Sequence, residues 1–205
     1  MSTAVIVMAK APVAGQAKTR LIAALGADGA ARLAQRLLMH TLDQTLGLQA
    51  DHWELCVSPD TQHAAFDQAV SLPQAQGRLQ LTLQGEGDLG DRMHRALARV
   101  LQTHDKAVLI GTDAPALSTS VLRLAAAALD HHEAVFVPAL DGGYALVGLT
   151  RPEPRLFRAM TWSTDQVMAN TRLRAREAGV RWTELASVHD IDEPADLIHL
   201  PAGWS

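Results

Sequence analysis

The chain has 205 residues, of which 48% are apolar and 20% charged, with a formal net charge of −4. That length buries a core without disulfides, and the composition is that of a soluble globular protein rather than a disordered or membrane one. Basic and acidic residues are mixed along the chain with no broad basic footprint, so neither nucleic acid nor membrane is an expected partner.

The first element predicted is a buried strand at Thr3–Met8, an apolar run rich in Val and Ile. The apolar stretch from Met1 to Ala9 is too short to span a membrane and lacks the basic start of a signal peptide, so the expected location is the cytoplasm. After a loop, Asp28 precedes a stretch with Leu33, Leu37, Leu38, Thr41, Leu42 and Leu46 at helical spacing and Gly47 near its end, which predicts an amphipathic helix. Strand and helix then alternate: strand Glu54–Ser58, helix Thr61–Val70, strand Leu79–Leu83, helix Leu89–Leu101, strand Ala107–Ile110 and helix Ser118–Leu129. Strands at Ala134–Val137 and Ala145–Leu149 follow, then a helix opened by Ser163 and running to about Glu177, a strand near Arg181–Leu185 and a short last helix from Glu193. The lone Cys56 lies in a strand-like context and reads as a small buried residue. This order predicts one domain over residues 1–205, a three-layer α/β/α fold with a mostly parallel central sheet.

In such a sheet, ligands bind beyond the carboxyl ends of the strands, where each strand leads into a loop. Directly after the first strand, the loop from Lys10 to Leu21 carries Lys10, Gly15, Lys18 and Arg20, cations suited to phosphate oxygens, although it lacks the P-loop pattern. It reads equally as an exposed basic loop.

Asp113 follows the strand ending at Ile110, where a carboxylate can share Mg2+ or Mn2+ with phosphate oxygens; a turn before Pro115 would also use an Asp. Asp141-Gly142-Gly143-Tyr144 lets a ligand approach the backbone closely, or forms a hairpin turn. Asp192 either caps the last helix or supplies a second metal ligand, and Trp162, at the head of Trp162-Ser163-Thr164, either stacks on a sugar or base or packs in the core. The histidines form no zinc spacing, and no nucleophile elbow points to covalent catalysis.

Taken in order, Met8–Pro12 with Ala17–Leu21, Gly87–Met93, Gly111–Pro115, Asp141–Tyr144, Trp162–Thr164 and Asp190–Leu197 resemble the nucleotide-diphospho-sugar transferase superfamily, of glycosyltransferase-A fold. The resemblance is strongest to small bacterial glycosyltransferase-like proteins. The Lys10 and Ala17–Leu21 loop is similar to that of 2-phospholactate guanylyltransferases, while Asp190–Leu197 is similar to a segment of sugar-acid cytidylyltransferases that helps hold Mg2+. The resemblance implies phosphate contacts from Lys10, Gly15, Lys18, Arg20 and Arg92, and Mg2+ or Mn2+ on Asp113 and Asp192. It further implies substrate contacts from Asp141, Gly142, Gly143, Tyr144, Trp162, Ser163 and Thr164. The glycine-rich start usual in sugar nucleotidyltransferases is replaced here by Lys10–Arg20, so base and donor class stay open.

Two transfers to a small-molecule acceptor are compatible with these residues. In nucleotidyl transfer from a triphosphate, an ionised phosphate or carboxylate of the acceptor attacks the α-phosphorus and pyrophosphate leaves; catalysis rests on positioning and charge, with Lys10, Lys18 and Arg20 on the phosphates and metal on Asp113 and Asp192. In glycosyl transfer from a nucleotide sugar, an acceptor hydroxyl attacks the anomeric carbon and Asp141 is the candidate base. A nucleotide-binding sensor or partner subunit without turnover is the alternative.

Overall fold

A computed structural model describes residues 1–204. One seven-stranded sheet runs through it, built from β1 (Thr3–Lys10), β2 (His52–Ser58), β3 (Leu79–Leu83), β4 (Lys106–Ile110), β5 (Ala134–Pro138), β6 (Tyr144–Leu149) and β7 (Trp182–Glu184) in the order β3-β2-β1-β4-β6-β5-β7. All neighbours are parallel except β6, which lies antiparallel between β4 and β5 because a short turn returns it beside β5.

Five helices cover the sheet: α1 (Ile22–Leu46), α2 (Ala64–Val70), α3 (Leu89–Val100), α4 (Thr119–Ala128) and α5 (Val167–Glu177). Because strand side chains alternate between faces, β1 feeds two cores. Val5, Val7 and Ala9 pack with Leu38 and Leu42 of α1, Phe66 of α2 and Leu122 of α4. Ala4, Ile6 and Met8 pack with Met93 and Leu97 of α3 and Met168 of α5. The three-layer architecture follows from that alternation. Cys56 is fully buried in the second core, as its strand context predicts.

Two local expectations are corrected. Helical structure starts at Ile22 and is interrupted at Gly26, whose φ of 72° and ψ of 165° leave the helical region, so the stretch predicted from Asp28 is the second part of a broken helix. Ser163 does not open α5: its φ of 60° is left-handed, and the regular helix begins four residues later at Val167. At the end of the chain, the last helix is a 3-10 segment, Pro194–His199.

The chain proceeds from β1 outward to β2 and β3, then crosses back to place β4 on the other side of β1. The crevice between the ends of β1 and β4 is therefore the switch point of the sheet, where neighbouring loops diverge and leave room for a ligand.

Candidate active site

The loops after β1 and β4 face each other across that crevice, joined by the segment before the C-terminal 3-10 turn. Ile191 donates its N–H to the Asp113 carbonyl at 2.8 Å and is itself fully buried beside Leu21 and Leu37, which fixes Asp192 against the β4 loop. In the β1 loop, Ala11, Ala17 and Leu21 are buried anchors, and Lys18 between the last two takes a left-handed backbone (φ 48°, ψ 46°).

The Lys18 ammonium lies 2.5 Å from Asp113 Oδ1, 2.8 Å from Asp192 Oδ1 and 2.6 Å from the Ile191 carbonyl oxygen. Three N–H donors thus meet three oxygens, which accounts for all of the ammonium's protons. The Lys18 side chain is only 7% exposed, whereas those of Asp113 and Asp192 are 50% and 39% exposed. Burial alone would depress the Lys18 pKa, but the two carboxylates outweigh it and hold the ammonium above its usual value. Arg20 stands at the edge of the cluster, 3.9 Å from Asp192 Oδ2.

The open alternatives for the two aspartates separate here. Asp192 does not cap the last helix: Glu193 and Asp196 form the capping box, with Asp196 Oδ2 accepting the N–H groups of Asp192 and Glu193. Nor does a turn occupy the Asp113 carboxylate, which faces Lys18.

Two adjoining cavities meet at these aspartates. A trough of about 660 Å³ is lined by Lys10, Lys18, Arg20 and Arg92, with Ser58 and Gln84 along its wall. A recess of about 260 Å³ is lined by Asp113, Asp141, Asp190 and Asp192 together with Tyr144, Trp162, Ser163 and Thr164, and no Lys or Arg lines it. The shared boundary includes Asp113, Asp192, Tyr144 and Ser163.

Several expected residues are placed differently. Lys18 lines the trough, but its ammonium is engaged by carboxylates. Gly15 and Gly142 line neither cavity. Gly142 (φ 92°) is required by the chain itself, since a β-carbon there would meet the Asp165 backbone at 2.2 Å. Asp141 forms the β5–β6 turn, its Oδ1 accepting the Gly143 N–H at 2.8 Å, and it also lines the recess. Trp162 packs in the second core, edge-on to Tyr144, and contributes to the recess wall. Burial pushes the Tyr144 hydroxyl pKa upward, so that group stays protonated at neutral pH.

The sequence reading missed Gln84 and Asp190 as site residues. Gln84 is 6% exposed and donates to the carbonyls of Ala9 and Cys56, tying β1 to β2 at the trough. Asp190, pushed up to about 6 by burial and by the nearby Asp141 carboxylate, is the most perturbed carboxyl of the recess. Its place in the Asp190-Ile191-Asp192 motif was the available signal.

Among the described residues, no three His, Cys, Asp or Glu side chains form a metal cluster. Asp113 Oδ1, Asp192 Oδ1 and the Ile191 carbonyl nonetheless make an all-oxygen cradle around one cationic position. Such a donor set suits a hard divalent ion, which commonly takes one or two carboxylates and completes its shell with water and substrate oxygens. The occupant of that position here is the Lys18 ammonium.

The fold is that of nucleotide-diphospho-sugar transferases, as its similarity to a solved structure so described shows. Residues 41–164 match the family described as an uncharacterized protein conserved in bacteria (DUF2064), and the chain belongs to that family. No curated protein matches the sequence. A structure from Desulfovibrio desulfuricans G20, described as a "putative nucleotide-diphospho-sugar transferase", is similar at 27% identity and a TM-score of 0.84, over 94% of this chain and 84% of that one. The fold is also similar to 4-diphosphocytidyl-2C-methyl-D-erythritol synthase from Anaerococcus prevotii DSM 20548, at 11% identity and a TM-score of 0.64 over 97% of this chain and 95% of that one. A third similar fold is that of CMP:2-keto-3-deoxy-manno-octonic acid synthetase complexed with CTP, at 13% identity and a TM-score of 0.58 over 97% and 96%.

Proposed function

We propose that this protein is a metal-dependent transferase that moves a glycosyl group from a nucleotide sugar to a hydroxyl of a small acceptor. The observation that carries the reading is the division of charge across the Asp113–Asp192 boundary, with cations lining the trough and carboxylates with two aromatic rings lining the recess. The donor diphosphate belongs in the trough with Lys10, Arg20 and Arg92, because phosphate oxygens take charge-assisted hydrogen bonds from such groups. A neutral, hydroxyl-bearing acceptor suits the recess, where carboxylates accept hydrogen bonds and rings cover apolar sugar faces, whereas an anionic acceptor would meet Asp141 and Asp190, which Lys18 does not neutralise.

Asp113 and Asp192 would hold Mg2+ or Mn2+, which supplies positive charge toward the departing diphosphate. Asp141 takes the proton of the acceptor hydroxyl as its oxygen bonds to the anomeric carbon; the bond from that carbon to the diphosphate oxygen breaks, and nucleoside diphosphate leaves. Tyr144, Trp162, Ser163 and Thr164 orient the acceptor, and Leu89 and Met93 limit water around the reacting atoms.

Nucleotidyl transfer is the second reading, favoured by folds such as the synthetase described as complexed with CTP. One panel distinguishes the two: thermal stabilisation by nucleoside triphosphates and nucleotide sugars, with Mg2+, Mn2+ or chelator, on wild type and Asp113→Ala. A ligand at about 100 times its Kd stabilises by roughly 2.7 kcal/mol. Metal-dependent stabilisation by a nucleotide sugar, absent in Asp113→Ala and followed by nucleoside diphosphate release with an acceptor, supports the proposal. Preference for a triphosphate with pyrophosphate release transfers support to the second reading, and no response to any nucleotide removes both. Binding without turnover across a broad acceptor panel supports a sensor instead.

A further inference from the structure

The cation engaged by Asp113 and Asp192 belongs to the protein itself, and this has a consequence for any metal that enters. We infer that Lys18 is the resident cation of the cradle: the ammonium and a divalent ion hold that position by turns, and metal entry releases Lys18 into the trough, where its charge passes to the donor diphosphate. This rests on the metal-dependent reading above and adds the order in which the site fills.

Four considerations support the exchange. The ammonium uses the same hard oxygens that an entering ion would take, at 2.5, 2.8 and 2.6 Å, so an ion on those ligands competes for the lone pairs that now receive its protons. A second positive charge cannot share the cradle cheaply, because two cations in contact repel in a partly buried site. The Asp113 and Asp192 side chains are 50% and 39% exposed while that of Lys18 is 7% exposed, so metal and water reach the oxygens from the cavity side without unfolding the loop. A released Lys18 also has a destination, since Lys18 already lines the trough beside Arg20 and its four-carbon stem is flexible. Lys10 contrasts with it: its ammonium is exposed, donates to the Gln16 carbonyl, and needs no exchange to meet a phosphate.

Binding of metal and of donor is then mutually favourable, because the phosphates receive the lysine that the metal displaces. In the empty protein the lysine suppresses metal affinity, which keeps the carboxylates neutralised when no nucleotide is present.

The chain has three lysines, Lys10, Lys18 and Lys106, so lysine acetylation followed by peptide mass spectrometry reads the exchange in wild-type protein. Lys106 is buried against Asp130 and serves as the internal reference. Mg2+ alone, at concentrations that stabilise wild type but not Asp113→Ala, is expected to raise the acetylation rate of Lys18 several-fold and leave Lys106 unchanged. An unchanged or slower Lys18 under those conditions overturns the exchange.

Mn2+ binding followed by electron paramagnetic resonance, without nucleotide, gives a second readout. Lys18→Met is expected to bind Mn2+ roughly tenfold or more tightly than wild type, as loss of a charged hydrogen-bonded competitor permits. Equal or weaker binding by a folded Lys18→Met, with binding lost in Asp113→Asn, leaves the metal site standing and overturns the exchange. No Mn2+ bound by any of the proteins, with or without a nucleotide sugar, removes the metal-dependent reading and the exchange together. Should Lys18→Met fail to fold, the acetylation result in wild type decides.

Discussion

A β-carbon on Gly142 would lie 2.2 Å from the carbonyl oxygen of Asp165. The β5–β6 turn and the segment entering α5 are therefore in direct backbone contact, and the Met168 N–H donates to the Gly142 carbonyl at 2.8 Å. The contact sets the recess wall, because Asp141 and Gly143 lie on one side of it while Ser163 and Thr164 lie on the other.

Gly142→Ala is accordingly expected to cost about 2–4 kcal/mol, combining a left-handed φ with a backbone overlap that no rotamer relieves. Gly143→Ala meets only the Asp141 carboxylate, at 3.1 Å, and is expected to cost roughly 1 kcal/mol or less. Urea unfolding of the two variants checks the difference, and equal losses would contradict the account of the contact.

The two neighbouring aspartates of the C-terminal segment divide their work. Asp196→Ala removes the acceptor for two backbone N–H groups and should lower stability by about 1 kcal/mol, with metal-dependent nucleotide stabilisation retained. Asp192→Asn keeps that cap and is expected to abolish the nucleotide response. Melting temperatures with and without nucleotide and Mg2+ separate the two effects.

For the trough, Arg20→Ala and Arg92→Ala are each expected to weaken nucleotide binding by roughly tenfold, the scale of one charge-assisted phosphate contact. The Arg20 side chain is 60% exposed, so its variant should leave the melting temperature without ligand almost unmoved. Titration calorimetry at low and high salt provides the check: the difference from wild type should shrink as salt rises.

Acid sensitivity has an identifiable contributor away from the site. Glu153 is 5% exposed and accepts from Arg155 Nε and Nη2 at 2.7 Å each, contacts that hold its carboxyl below the usual range. A depressed folded-state pKa means that this stability is present above the unfolded-state pKa of about 4.3 and is lost as pH falls through the folded value. With the Arg155 side chain 59% exposed, the contribution is discounted to about 1 kcal/mol. Glu153→Gln should therefore lose that amount at pH 7 and less at pH 3, as read by urea unfolding across that range.

Much of the architecture was legible because burial imposes a period. The strand Leu79–Leu83 and the start of α3 at Leu89 fall where the apolar pattern puts them, and Asp88 caps α3 through the N–H of Asp91. The early start of α1 was not legible: Gly26 breaks the helix without ending it, and nothing local distinguishes a break from a stop. Ser163 has the composition of a helix cap, but its left-handed backbone belongs to the Trp162–Asp165 segment that meets the β5–β6 turn.

The sequence by itself determined that cations follow β1, that carboxylates follow β4 and precede the last helix, and that these residues belong at the ends of parallel strands. Such placement depends on local propensity and on hydrophobic period, which neighbouring residues carry. Only the tertiary structure decided that Lys18 bridges Asp113 and Asp192 instead of facing the open trough, that Asp196 takes the capping role, and that Gly142 lies against the Asp165 backbone. Lys18 and Asp192 are 174 residues apart, and their 2.8 Å contact exists only because the sheet order brings the loop after β1 against the segment after β7.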